Sequence, residues 1–307
     1  MPRCGWRLGA GLALLAGTLA GQAQLSGRVQ LPAARRTPLP GAWAAAAAPP
    51  AAVYLAPQRL LTAAGRPSFQ LNVTWNRFTP ALLAVPAGAQ VILANRGTVR
   101  EPLELLRLRG QERFQQHCAI CHGSNGEALT PVGSSMQPHA LNLTSPGIQA
   151  WSEAHMAQVV WHGIPGSGMP QWQRVLRYRD LLNIVHYVKQ LPAINRGTAL
   201  PPASGPARRA AGWVSDRLGT LAPGETRTRN FPLPGIYPVD IASQPGEPAY
   251  IVVAPSPYCT ITDVAGRYRL PPAPPGHYQL VVWQPGSPAI VRNLVLQANT
   301  NLSLNLH

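Results

Sequence analysis

Phe114-Gln-Gln-His-Cys118-Ala-Ile-Cys121-His122-Gly123 is the stretch around which the rest of the chain falls into order. Its two cysteines stand two residues apart and a histidine follows at once. On a short turn, that spacing lets each thiol form a thioether to a haem vinyl group, with His122 held beneath the iron as its proximal ligand. A structural zinc site asks for four ligands, usually two such pairs, and the chain has no second pair. A thioredoxin-like redox pair asks for a surrounding βαβ pattern, which is missing as well. The stretch therefore reads as the attachment site of one covalent haem c.

Helical periodicity flanks the motif. Leu108 to Gln116 reads as a helix leading into it, and Ser124 to Pro146 as a loop rich in Gly, Pro and Asn. Ser152 is a good N-cap ahead of Glu153; Met156, Val159 and Val160 follow at helical spacing, and Gly163 stops that helix. A last helix is expected from Arg179 to Leu191, with Asp180 in its first turn and Pro192 as its terminator. Leu181, Leu182, Ile184, Val185 and Val188 give it a broad apolar face.

Residues 107–192 resemble the small, single-haem class I cytochromes c over their full length. The resemblance rests on Gly110 and Phe114 ahead of the haem motif, Leu141-Asn-Leu-Thr144 and Trp151-Ser-Glu153. It continues through Gly163-Ile-Pro-Gly-Ser-Gly-Met169-Pro-Gln-Trp172 and Tyr187-Val-Lys-Gln-Leu-Pro192. It implies that Gly110 and Phe114 cross the last helix near Tyr187, and that Met169 is the sixth ligand of the iron. It also implies that Trp172 approaches a haem edge or propionate, although core packing would serve that residue equally. A thioether in the sixth position favours ferrous iron, and an iron with both axial positions filled moves electrons without binding substrate. His117, His139, His155, His162 and His186 stay open as alternative ligands. Each is more simply a surface or packed histidine, and His162 is the first substitute for Met169.

On either side of this segment the pattern is β. Ser26 to Leu31, Ala52 to Ala56 and Gln90 to Asn95 alternate before it. Phe231 to Tyr237, Ala249 to Val253, Tyr258 to Thr262 and His277 to Trp283 are the clearest strands after it, with Asp263–Gly266 and Pro274–Gly276 as turns. The Ala/Pro tract Pro38–Pro50 reads as a flexible loop, and residues 193–212 as a linker. Neither half closes a sandwich comfortably by itself. The expected fold class is therefore multidomain α+β: an all-β cupredoxin-like sandwich, residues 24–106 and 213–307, with an inserted all-α cytochrome c domain, residues 107–192.

Ala52-Val-Tyr-Leu55, Pro80 to Asn95, Leu218 to Glu225 and Pro234-Gly-Ile236 resemble secreted cupredoxin-like proteins of methylamine-utilisation type. Tyr258 to Trp283 resembles their carboxypeptidase-regulatory-like ending. In that family a histidine and a Cys-x-x-His-x-x-Met cluster hold copper, whereas here the corresponding places carry Glu101, Ile241, Gln244 and Glu247. A blue-copper centre needs a thiolate and two imidazoles, so a copper-free scaffold is expected.

Residues 1–23 read as a secretory signal peptide: two arginines, an apolar run from Leu8 to Ala20, and a small-x-small site at Gly21-Gln-Ala23. Export to the periplasm fits thioether attachment of haem, which takes place outside the bacterial inner membrane. No later segment is apolar enough for a transmembrane helix. The formal charge is +15, and Lys189 is the only lysine beside the arginines. That balance suits an acidic redox partner protein or an anionic membrane surface, or else is solvated surface alone. Nucleic acid does not fit an exported chain whose arginines form no tight run. Once the signal is removed, Cys259 is left over from the haem pair and reads as a small buried hydrophobe in a strand. The expected function is electron transfer rather than enzymatic turnover. The alternatives are an accessory haem subunit of a dehydrogenase, reductase or photosynthetic complex, and a haem enzyme with an open sixth site.

Overall fold

The computed structural model describes residues 21–30, 50–57, 61–75, 77–195, 213–242, 248–285 and 289–306. Most of the signal stretch, most of the Ala/Pro tract, most of the linker, and Gln244 and Glu247 lie outside the described residues. Strands come first: β1 (Gln24–Arg28), β2 (Ala52–Pro57), β3 (Ser68–Thr74), β4 (Arg77–Thr79), β5 (Leu82–Pro86), β6 (Ala89–Asn95) and β7 (Glu101–Leu108). Helices follow as α1 (Gln111–His117), α2 (Ala119–His122), α3 (Pro131–Ser135), α4 (Pro146–Gln149), α5 (Glu153–His162) and α6 (Tyr178–Asn195). The chain then returns to strands β8 (Trp213–Leu221), β9 (Thr226–Phe231), β10 (Gly235–Ile241), β11 (Ala249–Ala254) and β12 (Cys259–Ile261). It finishes with β13 (Arg267–Arg269), β14 (Gly276–Trp283), β15 (Ile290–Leu296) and β16 (Asn301–Ser303).

The two β halves do fold together across the helices, as β7 pairs with β8, β6 with β9 and β5 with β11. They do not make one sandwich, however. Sheets β4-β3-β6-β9 and β5-β11-β10-β7-β8 enclose one core, from Leu71, Val91, Leu103, Phe231 and Ile251 among others. Sheets β12-β2-β14-β15 and β13-β1-β16 enclose a second, from Leu25, Val53, Leu55, Leu280 and Leu296 among others. The expectation that residues 24–106 all serve one sandwich is thus corrected, since β1 and β2 belong with the C-terminal strands. The reason is visible in β2. Val53 and Leu55 face the second core, while Ala52 and Tyr54 face the seam between the sandwiches.

That seam explains the continuous apolar runs of β5 and β11, whose residues are all buried. Leu83, Val85, Ile251 and Val253 point into the first core, while Leu82, Ala84, Tyr250 and Val252 meet Ala52, Cys259 and Trp283. A parallel pair covered on both faces needs apolar side chains at every position rather than at alternate ones. Cys259 lies buried in this seam, as its strand pattern suggested.

The helical segment leaves the first sandwich from the end of β7 and returns at the start of β8, where Leu108 and Trp213 are register partners. Leu106 and Leu108 of β7 extend into the helical core, so the segment is packed onto its stem rather than hung from it. The helix expected from Leu108 begins at Gln111 instead. Leu108 is still in the ladder, and Gly110 at φ 88° breaks the chain direction between the two elements. The expected end at Pro192 is also displaced: α6 runs on to Asn195. Tertiary contacts hold that last turn against the proline. Asn195 donates from Nδ2 to Asn125 O at 2.9 Å and accepts from Ala289 N–H at 3.0 Å. Within the stretch read as loop, α3 forms on Thr130-Pro131, and α4 starts at its last residue on Ser145-Pro146, both with proline at the first helical position.

Candidate functional site

The haem motif is set by a helix crossing. Gly110 approaches α6 so closely that a Cβ there would fall 2.0 Å from Asn183 O. One turn later Phe114, fully buried, meets Tyr187 of α6 with ring centroids 5.3 Å apart. This is the contact expected from the sequence. Burial pushes the Tyr187 phenol up to about 12, with a hydrogen bond from Gln115 pulling the other way. From this anchor α1 ends at His117, and Cys118 opens the single turn of α2, which carries Cys121 and His122 to the cavity wall.

The loop after the motif folds back to fix it. Thr130 donates from its hydroxyl to Cys121 O at 2.9 Å, Ala128 N–H donates to His122 O at 2.7 Å, and Gln115 Nε2 reaches Ser124 O at 3.0 Å. His122 is buried, and its Nδ1 lies 2.9 Å from Leu141 O. A carbonyl only accepts, so Nδ1 carries the proton and the neutral ring keeps a lone pair on Nε2. Burial holds the His122 pKa below its ordinary value, against the Leu141 carbonyl, which favours the protonated ring. An imidazole kept neutral and oriented by a backbone carbonyl is the form that ligates iron.

Both thiols sit in apolar surroundings. Burial pushes the Cys118 thiol up to about 12 and raises that of Cys121. Metal ligation by cysteine needs the thiolate, which such surroundings disfavour, whereas thioether carbon–sulfur bonds are neutral and suit them.

Cys118, Cys121 and His122 open onto a cavity of about 310 Å³ between α1, α5, α6 and two loops. That volume lies at the lower end of the range for cofactor pockets. Leu141, Ile148, Trp151, Val160 and Val185 give it an apolar lining, which suits the face of a porphyrin. Met169 lines the same cavity, on a loop held by Ile164 N–H to Met169 O at 3.1 Å and by Met169 N–H to Ser167 Oγ at 3.1 Å. Gly163, at φ 69°, leaves room for the loop's return: a Cβ there would fall 2.7 Å from Gln171 N. Ser152 caps α5 as expected, accepting from His155 N–H at 3.1 Å.

Of the alternative ligands, His117 and His139 line the cavity, and His117 meets Trp172 edge-on at 5.5 Å. His155, His162 and His186 do not line it; His162 is exposed, and His186 Nδ1 is 3.9 Å from Glu153. His162, expected as the first substitute for Met169, thus lies off the cavity that Met169 lines. Met136 is a cavity residue that sequence reasoning missed. It lines the cavity, and a Cβ on Gly168 would fall 2.8 Å from its sulfur. A Met-Gln-Pro138 run echoing Met169-Pro170 was its one sequence signal. Lys189 was missed too. Its Nζ donates to Gln149 O at 2.6 Å and to Trp151 O at 2.5 Å, clamping the Trp151 wall to α6.

The copper positions that fall within the described residues are Glu101, buried in β7, and Ile241, packed in the first core. Among the described residues no three His, Cys, Asp or Glu side chains sit together as a metal site. No described helix is long and apolar enough to cross a membrane.

Residues 107–188 match the family model for cytochrome C oxidase, cbb3-type, subunit III. A solved structure, the c-type cytochrome KustC0563, is 24% identical, with 27% of this chain and 98% of that chain covered and a TM-score of 0.25. Auracyanin B is 12% identical, with 66% of this chain and 98% of its own covered and a TM-score of 0.22. No curated protein matches. The family match falls on the helical segment, and it supports a cytochrome c segment that binds haem and works in electron transfer.

Proposed function

We propose that the chain is an exported electron-transfer cytochrome with one haem c within residues 107–192, thioether-bound to Cys118 and Cys121 and ligated by His122 and Met169. The observation that carries this reading is that one apolar cavity is lined at once by both cysteines, by His122 and by Met169. Bound there, haem supplies a one-electron iron couple, and a methionine sulfur at the sixth position raises its potential. The chain's own residues do the rest. Leu141 O fixes the His122 ring in the cavity wall and leaves Nε2 free of that bond, Ile148 and Val185 would keep water from it, and Ser167 steadies the Met169 loop. Were His122 and Met169 both to hold the iron, the group would move electrons rather than bind substrate.

Met169→Ala tests the ligand set. The weak sulfur-to-iron band of the ferric protein is expected to vanish. The reduction potential should fall by on the order of 100 mV, given that axial ligands spread haem potentials over about 0.8 V. An unchanged spectrum would refute Met169, and Met136→Ala and His139→Ala would be measured next.

The sandwiches form a copper-free scaffold in this reading, because Glu101 and Ile241 offer neither thiolate nor imidazole and Cys259 lies in the seam between sheets. A Cys118→Ala/Cys121→Ala protein loaded with cupric ion and dialysed should retain none. One tightly held equivalent with an intense thiolate band would sink the scaffold reading.

A second reading, an accessory haem subunit of a larger redox complex, is favoured by the matching family model, which describes an oxidase subunit. Co-purification with a membrane oxidase or dehydrogenase would select it over a freely diffusing carrier.

A further inference from the structure

Two neighbouring loop tips on the first sandwich carry apolar side chains into solvent. Trp75, at the tip of the β3–β4 hairpin, is 75% exposed and Val99, between β6 and β7, is 46% exposed. Trp75 sits at φ 34°, a conformation that costs a bulky residue about 1 kcal/mol or more. The two tips touch: a Cβ on Gly97 would fall 3.3 Å from Trp75 N, and Arg96 N–H donates to Val73 O at 2.8 Å. Buried Asn95 fixes the second tip. Its Nδ2 donates to Val99 O at 2.7 Å and to Leu221 O at 2.9 Å, and its Oδ1 accepts from Gly97 N–H at 2.9 Å.

Arginine surrounds these tips. Arg77, Arg96 and Arg100 are all exposed. No Asp or Glu precedes Glu101 in the chain, and Glu101 is buried. The carboxylate on the adjoining β8–β9 turn, Glu225, is engaged by Arg227 at 2.9 Å and by Ala222 N–H at 2.9 Å, and it also feels the charge of Arg100. The place in the fold matters as well. β7 runs from Glu101, beside these tips, to Leu108 at the root of the helices, a rise of about 26 Å for eight residues. The tips thus mark the end of the sandwich opposite the haem cavity.

We propose that this end is a membrane-docking edge that seats Trp75 and Val99 in the interfacial layer of an anionic phospholipid bilayer, with Arg77, Arg96 and Arg100 on its phosphates. The positive charge fits the anionic surface, and indole is a favoured side chain at headgroup depth. Trp75, 75% exposed, offers most of its indole to a fluid interface as it stands, where an acidic protein would need a pocket shaped to receive it. Docked in this way, the sandwich carries the helical segment away from the lipid by the length of β7. The inference does not depend on haem.

Sedimentation of the isolated protein with vesicles tests it, comparing phosphatidylcholine alone with vesicles containing about one-third phosphatidylglycerol. Wild type is expected to bind the anionic vesicles and to release with salt. Each arginine is worth about fivefold in affinity, so Arg77→Gln/Arg96→Gln/Arg100→Gln should weaken binding about a hundredfold. Trp75→Ala should weaken it about tenfold or more, by the same factor at every salt concentration at which wild type still binds. Circular dichroism and melting temperature establish that each variant is folded. Equal binding by wild type and both variants overturns the proposal, because attachment would then reside elsewhere, for example in the N-terminal apolar run. Equal binding to neutral vesicles overturns it too. So does capture by polyglutamate as strong as by anionic vesicles and insensitive to Trp75→Ala, which would make the edge a protein-docking face.

Discussion

His122→Ala is expected to leave a protein whose haem is either absent or held by its thioethers without a proximal nitrogen. The wild-type ring is positioned by one backbone hydrogen bond, 2.9 Å from Nδ1 to Leu141 O, and by burial that keeps it neutral. Alanine removes the ligand together with its hydrogen bond to Leu141 O, a net cost of about 0.5–1.5 kcal/mol before any loss of haem binding. Reduced spectra of the purified variant should lose the sharp bands of six-coordinate low-spin iron. Acid–acetone extraction supplies the companion measurement. Haem should stay with the wild-type chain and leave a Cys118→Ala/Cys121→Ala chain entirely, and haem that extracts from wild type would refute covalent attachment.

Gly110→Ala should disrupt the helical segment almost as severely without touching the cavity. The added methyl would stand 2.0 Å from Asn183 O and 2.3 Å from the Asn183 carbonyl carbon, and backbone cannot turn aside as a side-chain end can. The residue would also be held at φ 88°, where L side chains are strained. Overpacking of about 1–3 kcal/mol and about 1–3 kcal/mol of backbone strain together exceed most single substitutions. Phe114 and Tyr187 would be forced apart, and haem retention would fall with them. Denaturant unfolding followed at the haem band should shift to clearly lower concentration, while strand circular dichroism persists. A midpoint equal to wild type would mean that α1 and α6 do not cross as described.

The parts that were legible in the sequence are those in which a residue type is tied to one local geometry. Cysteine spacing, the Ser152 cap and the Gly163 stop belong to that kind, whereas the crossing of Gly110 and Phe114 with Tyr187 came only from the resemblance to class I cytochromes c. The division into two sandwiches was not legible, because alternation says which residues face a core and not which core. Val53 and Leu55 look the same whether their partner is β14 or any other strand. The doubly apolar runs Leu82–Pro86 and Ala249–Ala254 carried the missing information, since a two-layer sandwich has no use for strands buried on both faces. Pro192 misled for the opposite reason. A local helix breaker was overridden by the contacts of Asn195 with Asn125 and Ala289, far away in sequence. Met136 had no periodic pattern to mark it, and only the fold places its sulfur beside Gly168.

The register pairing of Leu108 with Trp213 has a consequence for the order of folding. β7 and β8 are neighbours separated by roughly a hundred residues of chain, and closing so long an unfolded loop costs several times RT more than closing a hairpin. Helices form through local contacts and fold quickly, whereas pairing of distant strands is slow. The helical segment has a core of its own, which Leu106 and Leu108 of β7 join. Once assembled, it stands in for a tight turn and delivers the β7–β8 seam ready to zip. The order of assembly is thus set by the segment that carries Cys118 and Cys121: its local helices form first, and the β7–β8 ladder closes on them.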